Sequence, residues 1–365
     1  MVRAILRPKL LFIAIALALL VIFPYLYRIP GIPFLSSFRN FQATRFAIWL
    51  IILMGLNLLT GYSGQISLGH AAFVAVGAYF AAILMKDSGA PVFLAVMGAA
   101  LLTGLLGFLI GVPALRLSGP YLAIATLALI IVLPQVLKHP SIDQWTGGVN
   151  GIRVSFPQVP TSLANNLNMN ADQWLYYNCM AAAVIMTAMA WSLTRSRFGR
   201  AFVALRDSEI GAQQMGINVS LYKMTAFGIS SLYAGAGGAL YVYQAAYLGP
   251  SSFDILFSLT LLVMIVLGGL ASITGTIFAA LILTFRVDIT DFFVNHIPYG
   301  SRIGIDPLRG AVFGVLLIIS IIFTPRGISG NIEKLKHANI GGKFARLQKR
   351  SGRLSQQKET ETSSD

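Results

Sequence analysis

The sequence has little charge and a single cysteine. Charged residues make up 11% of its 365 positions, whereas a soluble domain carries about a quarter charged residues. The lone Cys179 excludes an internal disulfide bond and a cysteine metal cluster. Metal-ligand spacings, a Gly-x-Ser-x-Gly turn and a Gly-x4-Gly-Lys-Ser/Thr phosphate loop are all missing. These absences argue against an enzyme, so we predict no catalytic residue, no metal site and no cofactor bound by this chain.

Apolar residues take the place of the missing charge. They make up 56% of the chain and form long neutral runs. A helix needs about 20 apolar residues to cross a bilayer core of roughly 30 Å. One such run could be a buried helix of a soluble protein, but so many in one chain predict an all-α polytopic membrane protein. We predict about ten transmembrane helices, at Leu10–Tyr27, Phe46–Leu59, Leu68–Met85, Val92–Val112, Tyr121–Leu137, Tyr177–Leu193, Met224–Tyr247, Ile255–Ala271, Thr276–Ile289 and Leu308–Phe323.

The basic residues predict which side of the membrane each loop occupies. The formal net charge is +14, and in a membrane protein such an excess indicates cytoplasmic loops beside an anionic leaflet rather than nucleic-acid binding. An even number of spans puts both termini on one side, and most Lys and Arg residues are inside if that side is the cytoplasm. The first helix is predicted to stay uncleaved, because its run is long and has no small-residue cleavage site after it.

Three regions follow from this pattern. Residues 1–45 are predicted to form an N-terminal transmembrane helix and an external loop. Residues 46–325 form the helical core, which includes a polar, basic cytoplasmic loop at 195–222. Residues 326–365 contain many polar and basic residues and few apolar ones, which predicts a disordered cytoplasmic tail.

A polar, glycine-rich segment follows the second predicted span. That span, Phe46–Leu59, would cover only about 21 Å at 1.5 Å per residue, which is shorter than the bilayer. Polar backbone would then begin at membrane depth, where protein or a water-filled cavity must surround it. The alternative is a tight cytoplasmic turn whose glycines let helices pack closely. The candidate polar groups for a path through the membrane are Asn57, Gln65, Ser67, His70 and Thr126.

Ser67 has a more specific predicted role. It could cap the next helix, whose N-terminal dipole favours an anionic group such as a carboxylate. A second glycine-rich break, at 268–275, separates two further short spans. Paired interrupted helices in the two halves of a transporter point to its central site. A plain helical hairpin with small residues at its turn is the alternative for this second break.

The cytoplasmic loop contains a predicted short helix. Asp207 or Ser208 can cap it, Glu209 suits its first turn and Gly216 is placed to end it. Ile210 and Met215 are apolar residues with no core of their own to enter. The helix is therefore interpreted as a docking element for another protein, and the alternative is an interfacial helix on lipid headgroups.

Several blocks of the sequence resemble one known family. The signature is Gly61-Tyr-Ser-Gly-Gln-Ile-Ser-Leu-Gly-His-Ala-Ala-Phe73. It looks like that of the branched-chain amino acid ABC transporter permeases, LivM branch. Further blocks in the family's order begin at Ser118, Thr146, Arg206, Pro250, Val266 and Pro325. In the block at Arg206, Gly211 stands where the family usually has alanine, a small-for-small change that should leave docking intact.

The resemblance implies an ABC importer permease fold and a set of partners. These are a second, LivH-like permease subunit, two ATP-binding subunits that hydrolyse ATP, and a periplasmic substrate-binding protein. The expected location is the bacterial inner membrane, where the chain would help to import leucine, isoleucine and valine by alternating access. The residues that would couple the permease to the ATPase are Arg206, Asp207, Ser208, Glu209, Gly211, Ala212 and Gly216.

Two alternatives stay open at this point. Urea and short-chain amide permeases are built from similar blocks, so the substrate is not fixed. An ion-coupled secondary transporter is the rival mechanism. Proton coupling usually needs an Asp or Glu within the membrane, and the acidic residues here fall at span ends or in loops, with Asp254 and Asp288 nearest to a span.

Overall fold

A computed structural model describes residues 23–24, 37–88, 90–114, 117, 119–154, 159, 169–294, 305–323 and 327–330. Almost all of this part of the chain is helical. The helices are α1 (Ser37–Leu56), α2 (His70–Ser88), α3 (Val92–Ala114), α4 (Pro120–Leu137), α5 (Asp143–Thr146), α6 (Ala171–Arg195), α7 (Arg197–Asp207), α8 (Glu209–Gln214), α9 (Val219–Ala245), α10 (Ile255–Gly268), α11 (Ile273–Thr284), α12 (Arg286–Val294) and α13 (Ile305–Phe323).

Five helical segments in the described part are long and apolar enough to cross a membrane. They are Asn40–Tyr62, Val92–Pro113, Pro120–Leu137, Ala171–Arg195 and Pro250–Gly268, and shorter apolar helices lie at His70–Lys86, Ile273–Thr284 and Gly310–Ile319. The predicted first span, Leu10–Tyr27, lies outside the described residues apart from Phe23 and Pro24, and the tail after residue 330 also lies outside. A multi-pass helical membrane protein is therefore supported, whereas the count of ten and the side of the termini stay predictions.

The predicted short second span, Phe46–Leu59, is wrong. Helix α1 begins at Ser37 and has 20 α-helical residues, followed by 6 residues of π-helix at Asn57–Tyr62. The polar side chains at the start of this helix make it resemble a loop in the sequence. In the fold, these side chains have hydrogen-bond partners. The buried Gln42 Nε2 donates to Asp288 Oδ2 at 2.7 Å, and Thr44 Oγ1 donates to the Asn40 carbonyl at 2.9 Å. Residues 37–45 are thus helix and not external loop.

Other predicted boundaries also differ from the structure. The predicted loop 195–222 is mostly helical. It contains α7, an amphipathic helix that buries Phe202 against Leu59 and Phe227. The predicted span Thr276–Ile289 is two helices that meet at Phe285. The long connection predicted between α4 and α6 contains α5 and the strand β1 (Ile152–Arg153), which pairs antiparallel with β2 (Tyr247–Leu248).

Helix α9 forms the centre of the bundle and packs against α1, α2 and α3 through small residues. A Cβ atom added to Gly77 of α2 would lie 2.4 Å from the Gly235 Cα of α9. One added to Gly235 would lie 1.8 Å from Thr103 Oγ1 of α3. The helices therefore touch through their backbones, a form of contact that suits membrane proteins, where burial of apolar area drives association weakly.

Candidate substrate path and docking surface

The segment between α1 and α2 runs back along α1 instead of turning at its end. His70, at the start of α2, has its Nε2 3.1 Å from the Ile52 carbonyl oxygen. Ile52 precedes the end of the π-helix that follows α1, at Tyr62, by about 15 Å along the helix axis at 1.5 Å per residue. Residues 63–69 are therefore non-helical backbone inside the bundle, and the tight turn considered above is not what forms. The inferred polar backbone is present, although α1 is not short.

Asn57 joins the two helix breaks. Its Nδ2 donates to the Ser272 carbonyl at 3.1 Å and to Thr276 Oγ1 at 2.7 Å, and its Oδ1 accepts from the Ala271 N–H at 3.0 Å. The side chain is fully buried. Because each polar atom of Asn57 already has a partner, its geometry is that of an internal tie between the π-helix and the second break.

The second break has the predicted form. Helix α10 ends at Gly268, Gly269 and Ala271 follow with positive φ angles of 115° and 56°, and Ser272 caps α11 by accepting from the Gly275 N–H at 3.1 Å. A non-glycine residue with positive φ costs free energy, so the surrounding contacts must hold Ala271 in place. The bond from its N–H to Asn57 is one of them.

His70 and Thr126 also have internal partners. His70 Nε2 donates to Ile52, so in the neutral imidazole Nδ1 can accept from the Ser230 hydroxyl, whose oxygen is 3.4 Å away. Thr126 Oγ1 accepts from the Leu68 N–H and donates to the Ala123 carbonyl, both at 3.0 Å. These two residues hold the start of α2 against α1, α4 and α9.

Gln65 and Ser67 differ from the other three candidates, because each keeps a buried polar atom without a partner among the described residues. Gln65 Nε2 donates to Ser63 Oγ at 2.9 Å, but its Oε1 accepts nothing. Ser67 is 1% exposed and its Oγ is unpaired. Leaving such groups unsatisfied costs about 1–3 kcal/mol each, which makes them the best placed of the five to meet a polar ligand.

The predicted cap by Ser67 is wrong. Helix α2 begins at His70, the Ala72 N–H donates to the Gly69 carbonyl at 3.0 Å, and the Ala71 N–H donates to Ser258 Oγ of α10 at 3.4 Å. The Ser258 hydroxyl in turn donates to the Leu68 carbonyl. A residue from the second half of the chain thus supplies the contact that sequence reasoning assigned to Ser67, and no local pattern marks Ser258 for this role.

The short helix in the region 195–222 is confirmed. Ser208 caps α8 by accepting from the Gly211 N–H at 3.0 Å, and Gly216 follows with a φ of 78°. Ile210 is 73% exposed and Met215 is 83% exposed. Ile210 lies on this six-residue helix and Met215 directly follows it. Few atoms cover these two large apolar side chains, which together form a surface suited to a protein partner. We call α8 with Met215 the docking surface.

Charged residues fix the docking surface to the bundle. Glu209 Oε2 pairs with Lys223 Nζ of α9 at 2.7 Å, and the Lys223 side chain is 8% exposed. Arg206 pairs with Asp207 at 3.1 Å and also donates from its guanidinium to the Gly61 carbonyl at 3.3 Å. Arg206, which lies on α7 just before the docking surface, therefore connects this region to the π-helix that follows α1. Sequence reasoning missed Lys223, whose only signal is a single charge at the start of an apolar run.

Comparison with known proteins agrees with this architecture. Residues 40–321 match the family model described as "Branched-chain amino acid transport system / permease component". The match covers most of the chain. The chain belongs to this permease family.

The curated relatives of the permease include proteins of two kinds. The LivM high-affinity branched-chain amino acid permease protein of Salmonella typhimurium is 30% identical over 321 residues, which cover 81% of this chain and 71% of the relative. LivM of Escherichia coli K12 is 31% identical over 78% of this chain and 68% of its own length. The autoinducer 2 import permease LsrC of E. coli K12/DH10B is 28% identical over 49% of this chain and 48% of its own. No solved structure matches this permease.

The Glu209–Lys223 pair of the permease gives a charge-swap prediction. Glu209→Lys should lower partner-dependent uptake about fivefold, because two lysines would face each other and a partly exposed pair contributes about 1 kcal/mol. Lys223→Glu should have a similar effect. The double variant restores the pair in reverse and should recover most of the activity, as measured by ATP-driven uptake in reconstituted vesicles. Losses that simply add in the double variant would contradict this role.

Proposed function

We propose that this permease is the membrane-spanning subunit of an ATP-binding cassette importer for leucine, isoleucine and valine. The main support is the identity of 30% to a branched-chain amino acid permease over 81% of the chain. The match to LsrC covers only 49% of the chain, so autoinducer 2 is the less favoured substrate class.

The proposed importer has further subunits. Two ATP-binding subunits supply the energy, one of them seated on the docking surface, because Ile210 and Met215 lack cover within the described part of this chain. A second permease subunit completes the path, and a periplasmic binding protein delivers the amino acid. The proposed location is the bacterial inner membrane, with the docking surface in the cytoplasm.

Within the proposed path, the region around Gln65 and Ser67 is where substrate meets this chain. Both residues lie on non-helical backbone between α1 and α2 and keep unpaired buried oxygens. A hydroxyl and an amide oxygen can accept bonds from an ammonium group or, for the hydroxyl, donate to a carboxylate. Asn57, His70 and Thr126 hold this segment in position through their hydrogen bonds within the bundle.

Transport by the reconstituted complex tests this proposal. The permease, its partner subunits and the binding protein would be placed in vesicles, and the uptake of labelled leucine, valine, urea, acetamide and autoinducer 2 would be measured. We expect leucine and valine uptake that needs ATP and persists when ion gradients are collapsed. Uptake that follows an ion gradient would overturn the ATP-driven mechanism, and preferential uptake of urea, amide or autoinducer 2 would overturn the substrate assignment.

A further inference from the structure

A polar cavity lies at the end of the bundle opposite the docking surface. Its volume is about 330 Å³, within the range of small-molecule sites. It is lined by residues of five segments: Arg45 and Trp49 of α1, Tyr241 of α9, Asp254 before α10, Phe257 within α10, and Arg286 of α12. Tyr241 is near the C-terminal end of α9, whose N-terminal end follows α8, so the helix separates this cavity from the docking surface by about 30 Å.

Two guanidinium groups, those of Arg45 and Arg286, line this cavity. Within the part of the chain that the structure describes, neither Arg45 nor Arg286 has a carboxylate within ion-pair distance. Arg45 is repelled by the charge of Arg286 and attracted by that of Asp288, whose carboxylate accepts a hydrogen bond from Gln42. Arg45 stacks on the Phe41 ring at 5.6 Å, which holds its side chain in place. Two guanidinium groups that line one small cavity are suited to bind one carboxylate with several charge-assisted hydrogen bonds.

A carboxylate of the protein lies on the same cavity. Asp254 uses Oδ1 to cap α10, where it accepts from the Phe257 N–H at 2.7 Å. Its second oxygen has no partner among the described residues and can accept from an ammonium group. The cavity thus offers a positive and a negative contact within one small volume.

The remaining wall is aromatic and apolar. The Trp49 ring lies 5.5 Å from Phe257 and 6.0 Å from Tyr241, measured between centroids, and Leu261 and Leu283 complete the wall. The Trp49 indole N–H has no acceptor in the described structure. Packed rings of this kind form a rigid surface that an aliphatic side chain can cover.

We infer that this cavity is an external acceptor site for a free α-amino acid with an apolar side chain. Arg45 and Arg286 bind its carboxylate, Asp254 binds its ammonium group, and the side chain rests on Trp49 and Phe257. The inference rests on the proposed import function for the direction of transport. It adds a site that the substrate would occupy before it reaches the region of Gln65 and Ser67.

Variants of the complete reconstituted importer test the site. Arg45→Gln with Arg286→Gln should lower ATP-driven uptake of labelled leucine about tenfold or more, because bonds to charged groups are lost. Arg286→Lys should retain part of the activity, since it keeps the charge but loses the planar fork. The matched control is Arg153→Gln, which removes an exposed arginine from β1 at the same end of the bundle, and its uptake should stay within twofold of the unmodified protein.

A binding measurement separates a site from a structural role. The complex would be labelled with photo-leucine under light, and the adducts would be mapped by mass spectrometry. We expect adducts on residues lining the cavity that excess leucine suppresses and that Arg286→Gln, at an exposed position, removes without loss of assembled complex. Adducts that persist unchanged in this variant would overturn the inference.

The outcomes distinguish this site from the proposed function. Normal leucine uptake by the double glutamine variant would contradict the acceptor site without contradicting the proposed importer function. An unmodified complex that carries urea instead of leucine would overturn the proposed substrate itself. Co-purification of an anionic phospholipid that only the double variant loses, together with unchanged uptake, would assign the two arginines to a headgroup and also overturn the inference.

Discussion

Replacing Ile210 and Met215 by aspartate should abolish ATP-driven uptake while the helical bundle stays folded. Both side chains are mostly exposed in the single chain, so their loss removes little internal contact. Burying one such side chain against a partner contributes about 1.5–3 kcal/mol, and a buried unpaired carboxylate adds a further cost. The double variant should therefore weaken binding of an ATPase subunit by at least a hundredfold, measured by co-purification and by uptake.

A matched variant controls for the added charge. Val149 is 74% exposed in the short 3-10 helix Gly148–Asn150, outside the docking surface. Val149→Asp should leave both ATPase binding and uptake unchanged. If Ile210→Asp with Met215→Asp also transports normally, α8 is not a docking element, and the alternative of a helix lying on lipid headgroups would gain support.

Gly77→Val should destabilise the bundle. A Cβ atom at Gly77 would meet the Cα, C and O atoms of Gly235, which are backbone atoms that cannot rotate away. Overpacking of a tight contact costs about 1–3 kcal/mol, and the two further methyl groups of valine would force α2 and α9 apart. We expect a lower yield of monodisperse protein and a melting temperature lower by several degrees, measured by thermal denaturation in detergent.

Gly314 provides the control for this change. It lies in α13, and a Cβ atom added there would have no described atom within 4 Å. Gly314→Val makes the same chemical change without the clash, so its yield and melting temperature should match those of the unmodified protein. Equal behaviour of the two variants would show that α2 and α9 do not need their backbone contact.

Local patterns were sufficient where the chain makes its own contacts. The short helix α8 could be predicted because Ser208, Glu209 and Gly216 act within a few residues of one another. The break after Gly268 could be predicted for the same reason, since its glycines mark it. Both features depend on backbone geometry that adjacent residues determine.

Features that depend on distant partners could not be predicted. The start of α1 was missed because Gln42 looks like a loop residue until its bond to Asp288 is known. Ser67 was assigned a cap that Ser258 supplies from far along the chain. Asn57 was predicted as a polar group of the substrate path, but the fold shows that its amide ties two breaks together, a role that no local pattern indicates.

The π-helical turn at Asn57–Tyr62 has a mechanical consequence. Its hydrogen bonds join residues five apart rather than four apart. This turn therefore contains one more residue than a turn of the α-helix α1 that precedes it. At one end of the turn, Asn57 is hydrogen-bonded to the second break. Near the other end, the Gly61 carbonyl accepts a hydrogen bond from Arg206. A displacement of Arg206 would therefore reach the π-helix first, and through Asn57 it would be passed on to the second break.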